Sequence, residues 1–345
     1  MGALRFAASQ DWTDRVEAGA PGLGGDVADV AVDAADRVYL LTRHPSGVFV
    51  FENDGSHLHS WGGSDLSARP HGITIGLDGL VYVVDEDDHT VRKFTRSGRL
   101  LDLIGSSGQA SDTGADWSIP DFKQRIGSIQ RGGPPFNHPT KLAVAPNGDL
   151  YVADGYANAR VHRFSATGEL ISSWGQPGTG PGQFHVPHSV LVTAGERLLV
   201  ADRENDRIQV FSLEGRFIEQ WTDLRRPSAV AVDAAGFVYT SEMASPTGHD
   251  SWVHGHVTEP FPARISVFDA RGRLQTRFAH GGHPCDPGNL MTPHGLAIDS
   301  SGSVYVAEIT QTSLRSGSGG VDPAELGGRH CHLVHRFDPI ASEPA

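Results

Sequence analysis

One pattern returns six times along this chain, roughly every 40 residues, and constrains its folding more than any other feature. Each copy opens with an apolar strand of four or five residues, then a turn such as APNGD, DAAGF or DSSGS. A second strand, [VL]Y[VLT] or LLV, ends in a polar residue. A third reads V-x-x-F, and a turn such as TRSGR or SATGE leads to a fourth that often ends in Trp-Gly. The copies run near 26–63, 68–108, 136–178, 184–223, 227–282 and 289–340. Alternation with period two, turns rich in Gly, Asn and Asp, and no helical periodicity specify four-stranded antiparallel units. One such unit cannot bury both faces, but six stacked radially can. The expected fold is therefore an all-β, six-bladed β-propeller filling residues 1–345 as a single domain. The sixth copy stops after HLVHRF (332–337), and ALRFAAS (3–9) is expected to supply its missing outer strand. An unpaired N-terminal arm is the competing reading.

Three Pro-His dipeptides, Pro70-His71, Pro187-His188 and Pro293-His294, each open a first strand in every second copy. In a closed ring of six, alternate blades stand about 120° apart, so three imidazoles converge on the axis. That is a tripodal metal site with an open coordination position, the arrangement catalytic zinc favours. The plainer reading is that each histidine caps its strand and hydrogen-bonds a neighbouring blade. The equivalent residues in the other copies, Ala28, Thr140 and Ser228, are small and leave room between the rings. Sequence does not fix the metal, since three imidazoles also accept iron, cobalt or manganese.

The ends of the second strands read TRH (42–44), DED (85–87), DGY (154–156), DRE (202–204), SEM (241–243) and AEI (307–309). Arg43 and Arg203 share one register, and two cations at a metal site suit a substrate carboxylate. Pairing with a nearby acid, such as Glu204 or Asp87, is the alternative. Tyr156 projects from the third copy toward the same mouth. Beside a dication and an arginine its phenol can serve as a base; packing is the bland reading. Asp85, Asp154 and Asp202 recur in one register and are read as turn acceptors, not catalysts. Long insertions near 109–134, 243–262 and 309–331 all fall on the face that carries the histidines, where a site needs elaboration. Their histidines, His249, His254, His256, His330, His332 and His335, are read as solvated loop residues, with a second metal site or an acid–base role for one of them as the competing reading. His138 precedes its proline and is out of register.

Charge narrows the partners. With 28 Lys and Arg against 41 Asp and Glu, the net charge of −13 argues against nucleic acid or an anionic membrane surface. No run of 18 apolar residues is present. The N-terminus lacks a signal-peptide pattern, so a cytoplasmic location is expected, with a processed precursor left open. Only Cys285 and Cys331 occur, without metal-type spacing; a reducing compartment is expected and their pairing is left open. Sequence leaves the oligomeric state open.

The copies resemble NHL repeats. HPTKLAVAPNGDLYVADGYANARVHRFSATGELISSWG (138–175) and GPGQFHVPHSVLV…LLVADRENDRIQVF (180–211) are similar to peptidyl-α-hydroxyglycine α-amidating lyase. That resemblance implies cleavage of a C-terminal α-hydroxyglycine, a carbinolamide, into a peptide amide and glyoxylate, on a six-bladed propeller with Zn2+ in Pro-His motifs. It implies His71, His188 and His294 as metal ligands, Tyr156 as base, Arg203 as its support, and Arg43 for the carboxylate. Departures accompany it. Gly295 follows His294 where the family carries an acid for structural calcium, which argues against Ca2+ here. Thr292 replaces a methionine, and Ala157 replaces a cysteine of the secreted members.

The expectation is a metal-dependent C–N lyase acting on a small carboxylate-bearing or peptide-like substrate. Two alternatives stand beside it: a hydrolase or other lyase on the same three histidines, and a non-catalytic NHL propeller that binds a protein partner.

Overall fold

In the computed structural model, which describes residues 4–43, 45–316, 326 and 328–340, the copies fold as six four-stranded antiparallel sheets. The architecture is the all-β, six-bladed propeller that the repeats specify. Each blade runs strand by strand in chain order, as in the second: Pro70–Ile75, Val81–Asp85, Thr90–Phe94 and Leu100–Gly105. The sixth is the exception. Its strands Pro293–Ile298, Val304–Glu308 and Val334–Pro339 are completed by Phe6–Ala8, paired Phe6↔Pro339, Ala7↔Asp338 and Ala8↔Phe337. The closing strand is thus drawn from the segment the sequence points to. Phe6 anchors it, stacked on Phe278 at 4.4 Å and edge-on to Tyr239 at 6.0 Å.

The blades divide over two compact units. In residues 62–227, blades two and three share a core of Tyr82, Val84, Val91, Phe136, Leu142 and Phe164, and blades three and four share one around Tyr151, Phe184 and Phe211. Residues 1–61 and 228–345 form the other unit, where blades five and six pack through Ile265, Val267, Leu296 and Val306. Helix α1 (Gln10–Gly19) follows the closing strand and buries Trp12 and Val16, one helical turn apart, against Leu40, Phe51 and Tyr305. The insertion at 109–134 carries helix α2 (Phe122–Gly127), and the one at 243–262 carries a short hairpin, Asp250–Ser251 with Gly255–His256. Helix α3 (Thr310–Ser316) opens the insertion at 309–331, part of which lies outside the described residues. Cys285 and Cys331 are joined as a disulfide across 46 residues.

A buried carboxylate stands at the end of the second strand in five blades: Asp85, Asp154, Asp202, Glu242 and Glu308. The sequence alignment sets Ser241 and Ala307 in this register, and strand pairing moves both copies by one residue. Pro293 pairs with Glu308 as Pro70 pairs with Asp85, and Ser228 bonds Ser241 O as Thr140 bonds Ala153 O. Thr42 holds the position in the first blade, donating to Pro45 O at 2.8 Å.

Each carboxylate faces a cation or imidazole on the third strand. Arg92 lies 3.5 Å from Asp85, His162 3.1 Å from Asp154, Arg207 2.8 Å from Asp202, Arg264 2.8 Å from Glu242 and His335 4.0 Å from Glu308. Four of them also accept backbone N–H groups from the segment that enters the first strand. The donors are Ser67 N at 2.8 Å, Asn137 N at 3.0 Å, His185 N at 2.8 Å and Thr292 N at 2.9 Å. The reading of Asp85, Asp154 and Asp202 as structural acceptors agrees with these bonds.

Burial raises the pKa of Asp85, and pushes Asp202 up to about 6 and Glu308 up to about 7, only partly offset by these donors. Burial also lowers His335 to about 3, so near pH 6 Glu308 and His335 meet as neutral acid and neutral imidazole. Because the folded Glu308 holds its proton to higher pH than an unfolded glutamate, its contribution is most favourable below the ordinary carboxylate range. That contribution declines as pH rises to about 7. Glu308→Gln is therefore expected to gain stability relative to the parent protein between pH 5 and pH 8. Urea denaturation at both pH values checks this; a difference that stays constant or shrinks would contradict it.

Candidate functional site

The three Pro-His histidines occupy one special backbone position. In each blade the proline and the residue after the histidine pair with consecutive residues of the second strand, Pro70↔Asp85 then Gly72↔Val84, and likewise around His188 and His294. The histidine itself is the extra residue of a β-bulge, a device that re-aims a side chain out of the pleat. The same bulge in the first blade carries Ala28.

What the rings do after leaving the ladder follows from their hydrogen bonds. His71 Nδ1 lies 2.8 Å from Thr140 O, and His294 Nδ1 lies 2.7 Å from Ala28 O. A carbonyl only accepts, so Nδ1 carries the proton in both rings and Nε2 keeps its lone pair. The small residues answer in kind. Thr140 Oγ1 donates to Pro187 O at 2.9 Å, and Ser228 Oγ donates to Pro293 O at 2.6 Å, each holding the carbonyl before the next histidine. The two readings of Pro-His, hydrogen bonding to a neighbouring blade and metal ligation, therefore use opposite nitrogens of one ring.

Close packing fixes these contacts. A Cβ on Gly72 would stand 2.5 Å from Thr140 O, and one on Gly295 would stand 2.5 Å from the Cα of Asp29. Asp29 fills the space beside Gly295, so a side chain at 295 has no room. Gly155 is tighter still, its absent Cβ directed at Pro187 O.

His71, His188 and His294 are all buried, and the three make a group that could hold a metal ion. Tyr156 joins two of them: its hydroxyl lies 3.2 Å from His71 Nε2 and 3.1 Å from His188 Nε2. Arg203 Nη1 donates to the same hydroxyl at 3.2 Å, while Arg203 Nε donates to Glu204 at 2.7 Å. Both readings of Arg203, pairing with Glu204 and support of the tyrosine, are thus realised together. Burial alone would lower the Arg203 pKa, but Tyr156 and Glu204 outweigh it and hold the guanidinium charged. Arg43 is buried at the end of its strand, opposite Asp26 in register, at the repeat position of Arg203.

Each part of DGYANAR has a task. Asp154 grips Asn137 N, Gly155 lets the chain pass under Pro187 O, and Tyr156 reaches the imidazoles. Asn158 ties Asp154, at 2.6 Å, to Gly133 N, at 2.8 Å, and Arg160 closes on Gly175 O at 2.9 Å. Sequence reasoning missed the partner that the 109–134 insertion supplies. The Arg203 guanidinium lies over the Phe122 ring of α2 at 5.4 Å and over the Tyr156 ring at 5.3 Å, and the two rings meet edge-on at 6.4 Å. No repeat marks Phe122, and only its place in a site-facing insertion hints at it. His138, expected outside the tripod, stacks on Trp117 and lies 3.7 Å from Glu86, which already pairs with Arg69.

Residues 68–94 and 136–164 match the NHL repeat family. Over 308 residues, 86% of this chain, the sequence is 30% identical to peptidyl-glycine alpha-amidating monooxygenase A of Xenopus laevis, of whose length it covers 27%. It is 32% identical to peptidyl-alpha-hydroxyglycine alpha-amidating lyase 1 of Drosophila melanogaster, over 74% of this chain and 45% of that one. Against NHL repeat-containing protein 3 of Mus musculus the identity is 31%, covering 81% and 76% of the two chains. The chain thus spans under a third of the amidating monooxygenases it matches. Among solved structures, a gluconolactonase of Xanthomonas campestris shares the fold with a TM-score of 0.57 at 13% identity, over 99% of this chain and 96% of that one.

Substituting Gly155 tests the packing on which the tyrosine and His188 both depend. Gly155→Ala is expected to cost about 1–3 kcal/mol in urea denaturation through overpacking, whereas Gly195→Ala, in an open turn, is expected to be near neutral. Equal effects of the two would contradict the account.

Proposed function

The chain belongs to the NHL-repeat family and is similar over most of its length to α-hydroxyglycine α-amidating lyases, and on that premise we propose that it is itself a metal-dependent carbinolamide lyase. The observation that carries this reading is the Tyr156 hydroxyl, set between the Nε2 atoms of His71 and His188 and bonded to Arg203.

The residues fit a transition-metal ion on the structure's own terms. Carbonyl-bound Nδ1 atoms leave Nε2 as the ligand in His71 and His294, and such hydrogen bonds are what orient imidazole ligands at metal sites. His188 would be the third ligand. A divalent ion such as Zn2+, bound by these rings, would supply Lewis acidity toward the substrate's hydroxyl oxygen.

The chain's own groups account for the rest. The substrate is an N-acyl α-hydroxyglycine, with hydroxyl, carboxylate and amide nitrogen on one carbon. Tyr156 acts as its phenolate, stabilised by the charged Arg203 beside it, and takes the hydroxyl proton to become the phenol. The oxygen's electron pair then becomes the second bond of a carbonyl, and the bond from that carbon to the amide nitrogen breaks. The nitrogen leaves with the bonding pair and receives the proton from Tyr156. A peptide amide and glyoxylate result, with no water consumed. Arg43 is assigned to the carboxylate of the substrate, where a guanidinium gives bidentate recognition. Burial of Tyr156's partners keeps water from competing for the same hydrogen bonds.

The test is turnover of a peptide ending in α-hydroxyglycine, followed by glyoxylate release and by the mass of the peptide product. A peptide amide is expected, and a peptide acid would instead mean hydrolysis. His188→Ala is expected to abolish turnover. Tyr156→Phe is expected to lower kcat by about 10²–10⁴-fold with little change in KM, the usual worth of a positioned acid–base group. No glyoxylate from the folded, metal-loaded protein, or an unchanged kcat in Tyr156→Phe, would overturn the proposal.

A further inference from the structure

A second cluster of metal-ligating side chains, made of residues other than the three histidines, joins the N-terminal helix to the last blade. Helix α1 presents Glu17, and the segment entering the third strand of blade six presents His330 and His332. Glu17 Oε2 lies 2.7 Å from His330 Nε2 and 3.1 Å from His332 Nδ1, and Oε1 accepts Leu333 N at 2.6 Å. The three ligand atoms lie within 4.8 Å of one another. We propose that Glu17, His330 and His332 form a metal site for a divalent transition cation such as Zn2+, which clamps the N-terminal helix to the last blade.

The geometry is built, not incidental. His330 and His332 flank Cys331, whose sulfur is bonded to Cys285 within a small apolar cluster of Met291 and Leu326. The disulfide thus fixes the residue between the two imidazoles while both rings reach the same carboxylate. The Gln10 amide nitrogen, which donates to Asp14 at 2.7 Å, lies 3.1 Å from His332 Nε2 and sets a second side chain of α1 against that ring. Asp14 adds negative charge near His332, and Glu17 and His332 are only 13% and 11% exposed. Two imidazoles and one carboxylate, with positions left open, suit zinc, nickel or copper and not a hard cation that prefers an all-oxygen cage. Held there, the ion would join α1 to the strand that pairs with Phe6–Ala8, so it would close the fold at the one blade assembled from both termini.

None of these residues takes part in the proposed lyase reaction, and the test reads the two sites separately. The full chain, stripped with a chelator, is titrated with Zn2+ by calorimetry, beside a His330→Ala/His332→Ala variant. The parent protein is expected to take up one equivalent more than the variant, and its Tm is expected to rise further with added Zn2+. Should the three-histidine group fail to bind, the subtraction still reads, as one equivalent falling to none. Glu17→Gln keeps an acceptor for Leu333 N while removing the charge, and is expected to weaken the extra equivalent without unfolding the chain. Equal Zn2+ uptake by the parent protein and the double variant would overturn the proposal.

Discussion

The buried carboxylate that ends the second strand in five of the six blades is the interaction from which the rest of this structure hangs. It joins three segments of its own blade: the strand that bears it, the base on the third strand, and the backbone about to enter the first strand. A carboxylate out of water is costly unless charges and donors surround it. Asp202 meets that demand with Arg207, Asn205, Gln209 and the backbone of His185. The positive surroundings do not merely neutralise the acid. They fix where the chain lies two to four residues before the bulge, and the bulge decides where the histidine points.

From that anchor the site is assembled by short-range contacts. Proline leads into each histidine bulge, the bulge turns the imidazole out of the sheet, and at His71 and His294 a carbonyl from another blade orients it through Nδ1. Thr140 and Ser228 then hold the proline carbonyls that precede His188 and His294. Ala28 has no hydroxyl with which to do the same, so the relay is complete at two of the three bulge-free-of-imidazole positions. The rings are therefore positioned by main chain and small hydroxyls, which leaves their Nε2 atoms to face chemistry. Arg203, gripped by Glu204 and lying over both the Phe122 and Tyr156 rings, adds fixed positive charge beside the phenol.

Most of this was legible because repetition makes positions comparable. Alternating strands and turns gave six blades, the truncated sixth copy pointed to Phe6–Ala8, and histidines in alternate copies pointed to one group. Repetition also misled where the copies differ in phase. Ser241 and Ala307 look like the counterparts of Asp85 by letter spacing, but hydrogen-bond pairing gives that place to Glu242 and Glu308, and a strand read by its residues alone carries no register. Phe122 and the Glu17–His330–His332 cluster lie in segments that occur once, so nothing in the chain could be compared with them. The Cys285–Cys331 bridge was left open for the same reason: two cysteines far apart in sequence carry no signal of proximity until the fold brings them together.

The central claim, that three bulged histidines hold a transition metal beside Tyr156, is tested most directly by anomalous diffraction from crystals grown with Zn2+, at wavelengths on either side of the zinc edge. A peak within coordination distance of Nε2 of His71, His188 and His294 is the predicted result, with the Tyr156 hydroxyl close by. Fully ordered imidazoles with no anomalous signal among them, in crystals soaked at a saturating concentration, would contradict it.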